Sequence, residues 1–203
     1  NPDAKAVLVN NPTYYGICSD LRKIVEIVHR HGMKVLVDEA HGTHFYFGEG
    51  LPPSAMSCGA DMASVSVHKT GGSLTQSAIL LLGKGIDPNY VRQIINLTQT
   101  TSASYLLMVS LDLARQNLAL HGREFYAKTV EFADYARKEI NAIGGYYAFG
   151  EELCDGKAFY AFDKTKLSVH TRAMGLAGIE VYDLLRDEYD IQIEFGDIGN
   201  ILA

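Results

Sequence analysis

The sequence predicts an α/β protein: a mixed, mostly parallel sheet followed by a smaller α+β unit. Three observations carry that prediction. The runs "AVLVN" (6–10) and "KVLVDEA" (34–40) are short, apolar and rich in β-formers. A helix-period segment separates them, which makes a strand–helix–strand unit of the kind found in parallel sheets covered on both faces. Beyond Gly144-Gly145 the pattern changes to short strand-like runs around one amphipathic helix.

Each element has its own local reason. Asn-Pro ends the first strand, Ser19 stands at an N-cap position, and Leu21, Ile24, Val25 and Val28 recur at helical spacing until Gly32. The second strand loses its apolar character at Asp38, and ligands collect beyond such carboxyl ends. "MASVSVH" (62–68) reads as a third strand and "SAILLLG" (77–83) as a fourth. The turn from Thr70 to Gln76 is too short for a crossover helix, so the last two strands should pair antiparallel. Asp87-Pro88 opens a helix to about Asn96. After the polar "TQTTSAS" comes a helical pattern from Tyr105 to about Leu120, broken at His121-Gly122, and a second from Glu124 to Ile143. "AFYAFD" and "IQIEF" are read as strands flanking the helix "EVYDLLRDEYD". The expected division is a larger unit over 1–121, with its linking helix, and a smaller one over 122–203.

Composition narrows the function classes. With 203 residues, 47% apolar and 21% charged, the chain is globular in character. A net charge of −6 argues against nucleic acid and against a polybasic membrane surface, leaving a small molecule or another subunit as partner. Three widely spaced cysteines, Cys18, Cys58 and Cys154, fit neither a disulfide framework nor a CxxC metal pair, so a reducing, cytoplasmic setting is expected. No apolar run approaches the ~20 residues of a membrane span. The opening "NPDAKAVLVNNP" lacks a methionine and enters a strand almost at once, and a fragment of a longer chain is expected.

Three constellations offer chemistry. Asp38 and Lys69 each fall at the end of a predicted strand, facing one crevice: either a carboxylate and amine serving an aldehyde cofactor with a cationic ring, or a plain salt bridge. His41-x-x-His44 has the look of a metal pair but lacks HExxH and any nearby cysteine, so a packed histidine, or one beside a ring-shaped ligand, is favoured and no metal is assigned. The hydroxyls of Ser66, Thr70, Ser73, Thr75, Thr98, Thr100, Thr101 and Ser102 suit phosphate and ordinary turns alike. The glycines match neither GxxxxGK[ST] nor GxGxxG.

"VDEAHGTHF" followed by "SVHKTGGSLTQSAIL" resembles the major domain of the ornithine/lysine/arginine decarboxylases, within the fold type I pyridoxal 5'-phosphate (PLP) enzymes. "NNPTYYG", "QTTSASY" and "GIEVYDLLRDEYDIQIEF" extend the resemblance over nearly the whole chain. It implies an incomplete PLP-binding large domain and a partial small domain. Lys69 would be the Schiff-base lysine, Asp38 would meet the pyridine nitrogen, Ala40 would pack under the ring, and Ser66 and His68 would approach the phosphate. His41 would lie near the cofactor, and Thr100 would reach the phosphate of a neighbouring subunit, implying a homodimer or higher homo-oligomer. The implied activity is decarboxylation of lysine, arginine or ornithine. An aminotransferase or lyase of the same fold, and a non-catalytic module that keeps the fold, are the rival readings.

Overall fold

The protein, described over residues 3–203 of a computed structural model, has two four-stranded sheets joined by a long helix. In chain order the elements are β1 (Ala6–Asn10), β2 (Ile17–Cys18), α1 (Leu21–Arg30), β3 (Lys34–Asp38), β4 (Met62–Val65) and α2 (Val67–Thr70). They continue with β5 (Ile79–Leu82), α3 (Pro88–Thr98), α4 (Tyr105–Ile143), β6 (Tyr147–Phe149), β7 (Ala161–Phe162) and β8 (Ser168–His170). The chain closes with α5 (Gly178–Tyr189), β9 (Phe195–Gly196) and β10 (Asn200–Leu202).

The first sheet has the order β1-β3-β4-β5, parallel across β1, β3 and β4 and antiparallel at β5. The mixed, mostly parallel α/β class expected from the sequence is the class observed. α1 begins one residue later than the Ser19 signal, because Asp20 takes the cap and its Oδ1 accepts from Lys23 N at 3.0 Å. Leu21, Val25 and Val28 of this helix pack on Val35, Val37 and Ala63 of the sheet, with Ala55, Cys58 and Ala60 filling the gap.

Coverage of both sheet faces, expected from the apolar strands, is corrected by the register. Leu8, Leu36, Met62 and Leu82 form one row on the other face, and Asn10, Asp38, Ser64 and Leu80 form the next. Among the described residues that face stays open, with Leu8 72% exposed. Its apolar residues explain why the strands read as continuously hydrophobic, and the same openness leaves Asp38 accessible at the carboxyl edge.

Two further expectations are corrected. α4 is one helix and runs unbroken through His121-Gly122. Gly122 is buried there, and a Cβ on it would come within 2.9 Å of Phe47 Cβ, so this glycine answers to close packing and not to helix termination. The expected division at 121/122 thus falls inside α4, and the chain passes to the second sheet at Gly144 and Gly145, both with positive φ. "IQIEF" is strand only from Phe195: Ile191 N is taken by Leu185 O behind the left-handed Asp190 that ends α5.

The second sheet, β6-β8-β10-β9, is antiparallel throughout. Ala148, Val169, Val181, Ile193 and Ile201 form its core. The small β2–β7 pair ties residues 17–18 to 161–162, which brings the second unit over the carboxyl edge of the first sheet.

Candidate active site

The site begins where the parallel strands stop. β3 and β4 end together, with Asp38 opposite Ser64, and beyond β4 the chain turns at Ser66 into the single-turn helix α2. His68 and Lys69 therefore sit on a helix, whereas the sequence placed them at a strand end. The β4–β5 ladder closes at Val65–Ile79, and past it the His68 ring takes the Ser77 carbonyl, Nδ1 to O 2.9 Å. A carbonyl only accepts, so Nδ1 donates this hydrogen bond. Gly71 ends α2 without room for a side chain: a Cβ would lie 2.7 Å from Val67 Cγ1 and 2.9 Å from Thr43 Cγ2.

A cavity of about 610 Å³ opens beside α2. One wall carries His41, His44, His68, Lys69 and Thr70; α4 contributes Phe125, Tyr126 and Thr129; the second unit contributes Thr165, Lys166, Glu194, Leu202 and Ala203. Lys69 is exposed towards it, and its Nζ meets His41 Nε2 at 3.1 Å. Burial, then the positive charges of Lys166 and Lys69, push the His41 imidazole down to about 4. At neutral pH the ring is uncharged and accepts a hydrogen bond from the Lys69 amine. Tyr14 stacks edge-on to His41 at 4.5 Å and donates to Glu194 Oε1.

The remaining sequence-predicted residues lie around this cavity or away from it. Asp38, exposed at the end of β3, accepts from Ala40 N at 3.1 Å and does not line the cavity. Ala40 follows it, and Ser66 precedes α2 without capping it. Thr100 lies on the exposed loop between α3 and α4, where its Oγ1 accepts from Ser102 N at 3.1 Å. His41 and His44 turn to different partners, which separates the pair that the spacing raised as a metal candidate.

His44 is instead the centre of a buried network that the sequence did not reveal. Its Nε2 lies 2.8 Å from Asp163 Oδ2 and its Nδ1 3.2 Å from Thr70 Oγ1, with the His44 and Asp163 side chains almost solvent-free. Burial alone would raise the Asp163 carboxyl, yet the hydrogen bond and charge of His44, with Thr165 and Lys166, hold it below the usual carboxylate range. The pair couples α2, one residue from Lys69, to the turn that carries Lys166. Tyr126 of α4 adds a third tie by donating to Thr70 O at 2.7 Å.

Next to Asp38, Glu39 is fully buried and accepts from Ala55 N at 2.7 Å and from the Tyr46 hydroxyl. Burial pushes its carboxyl up to about 7 against the pull of both donors. An unfolded glutamate titrates at about 4.3. Between those values the folded chain holds a proton that the unfolded chain has released, so stability falls as pH rises through this window. Glu39→Gln is expected to flatten that slope in urea unfolding between about pH 5 and about pH 7; an unchanged slope would assign the linkage to another group.

The mixed, mostly parallel sheet and the smaller antiparallel unit beyond it give the chain the fold type I architecture. Solved structures share the fold: a Francisella novicida lysine decarboxylase (TM-score 0.79, 18% identity, covering 98% of this chain and 33% of that one). A Nostoc alanine–glyoxylate aminotransferase gives 0.73 at 16% identity, covering 98% and 55%. Within that class, residues 1–176 match the family model described as Orn/Lys/Arg decarboxylase, major domain, and the chain belongs to this family. It is 50% identical over 204 aligned residues to an arginine decarboxylase of Halalkalibacterium halodurans and 47% identical to one of Bacillus subtilis. Each alignment takes in 100% of this chain and 42% of the relative, so the chain spans less than half the length of these relatives.

Proposed function

We propose that the intact protein is a PLP-dependent decarboxylase of a basic amino acid, with arginine the first candidate. The observation that carries this reading is the Lys69 amine, 3.1 Å from a neutral His41 and open to the cavity at the carboxyl edge of the sheet. The family membership and the names of the relatives support it. The residues present fit the cofactor: an accessible amine, a carboxylate at the neighbouring strand end, and a free-standing serine before α2.

PLP, when bound, supplies an aldehyde for a lysine and a ring that draws electrons from bonds at the substrate α-carbon. In our reading Lys69 is its attachment point and His41 orients that amine through a hydrogen bond. Asp38 holds a proton on the ring nitrogen, Ala40 lies under the ring, and Ser66 and His68 serve the phosphate. Thr100 serves the site of a second copy in a homodimer. Glu194 gives the cavity an anionic wall suited to a basic side chain.

Product analysis with arginine, lysine and ornithine tests the proposal on the intact enzyme. Release of CO₂ together with the corresponding amine is expected; a 2-oxo acid would favour the aminotransferase reading. Failure to take up PLP, seen as the absence of its visible absorption band, would favour a non-catalytic module.

A further inference from the structure

Lys166 has the features of a prepared ligand-binding cation. Its backbone is fixed on both sides: Lys166 N donates to Asp163 O at 3.1 Å, and Arg137 Nη2 from α4 donates to Lys166 O at 2.8 Å. Its aliphatic stem lies on Gly16, where a Cβ would come within 3.0 Å of Lys166 Cγ, and Gly16 has φ +89°. The preceding Asp163-Lys164-Thr165 turn is locked, because Asp163 Oδ1 accepts from Thr165 N and from its hydroxyl, at 3.1 and 2.7 Å. The buried His44–Asp163 pair then sets this turn against α2 and hence against Lys69.

The head group of this fixed side chain is unsatisfied. Among the described residues Lys166 Nζ makes no hydrogen bond and no ion pair, although the residue lines the cavity with Lys69 and His41. Burial lowers its pKa, and the charges of Asp163 and Glu194 oppose that without meeting it. A half-buried ammonium that faces the cavity without a protein partner is free to pair with an anion bound there. In the reading above Ser66 and His68 serve the cofactor phosphate at the α2 end, which leaves the substrate as the source of an anion for Lys166.

We propose that Lys166 holds the α-carboxylate of the amino-acid substrate, facing Lys69 from the opposite wall of the cavity. This rests on the decarboxylase reading above and adds to it a specificity-determining residue. The amine product has lost that carboxylate, so it retains every other contact and loses this one.

The contrast between substrate and product gives the test, made on the intact PLP-loaded enzyme with Lys166→Met and Lys166→Arg. Lys166→Met keeps the stem against Gly16 and removes the charge. It is expected to lower kcat/KM for the amino acid ~10–100-fold, the range for loss of a hydrogen bond between charged groups, with the inhibition constant of the product amine within about threefold of wild type. Lys166→Arg should recover part of the loss. PLP affinity, measured by titrating the apo-protein, should stay unchanged. A parallel loss of amino-acid and amine affinity, a weakened PLP affinity, or an unchanged kcat/KM would each overturn the assignment. A wild-type enzyme that releases no CO₂ from any basic amino acid would overturn the decarboxylase reading, and this proposal with it.

Discussion

In the proposed decarboxylase, replacing Lys69 by alanine is expected to abolish covalent attachment of PLP and to lower turnover by at least ~10⁴-fold, as removal of a covalent catalytic group does elsewhere. The folded chain should tolerate the change. Lys69 is exposed, and among the described residues its amine has one hydrogen-bond partner, His41 Nε2. The α2 turn is held by other groups: Lys69 N on Ser66 O, Gly71 N on Val67 O, and Thr70 gripped by His44 and Tyr126. Thermal unfolding of the apo-protein should therefore match wild type, while the visible band of bound cofactor disappears and PLP is removed by dialysis. Retained turnover would refute the role of Lys69 outright. A lost band with unfolded protein would show that α2 depends on this side chain, contrary to the contacts just named.

How much of this was legible in the sequence depended on the range of the interactions. β1, α1 and β3 were readable because local periodicity determines them, although the cap of α1 is Asp20 and not Ser19, and the antiparallel β4–β5 pairing followed from loop length. The β4 boundary was not: Val65 and Val67 are both buried, so the alternation of the sequence continues although the chain has already turned into α2. Gly122 misled for a related reason, since a glycine placed for contact with Phe47 looks in sequence like one placed to stop a helix. The site divides in the same way. His41, His68 and Lys69 belong to short motifs that the resemblance picks out, and the cavity does collect them. The His44–Asp163 pair and Lys166 gave no such signal, because their meaning lies in contacts that only the tertiary fold creates: His44 and Asp163 are 119 positions apart.

Asp38→Asn should separate cofactor binding from catalysis more cleanly than any change at Lys69. The side chain is exposed, and its structural contact is the acceptance of Ala40 N by Oδ1, which an asparagine carbonyl can reproduce. Fold, Lys69 geometry and the attachment of PLP should all persist. What would be lost, in the proposed function, is the negative charge that keeps a proton on the ring nitrogen, and with it the electron-withdrawing power needed when the α-carbon bond breaks. Removing one preorganised electrostatic group costs ~10²–10³ in kcat in other enzymes, and a loss of that order is expected here with PLP still bound. The open sheet face beside Asn10, Asp38 and Ser64 makes the experiment a strict one. If the ring nitrogen faces Asp38, the charge matters greatly despite its exposure in the described residues; if kcat stays near wild type, the nitrogen is served by another group and Asp38 belongs to the edge of β3 alone.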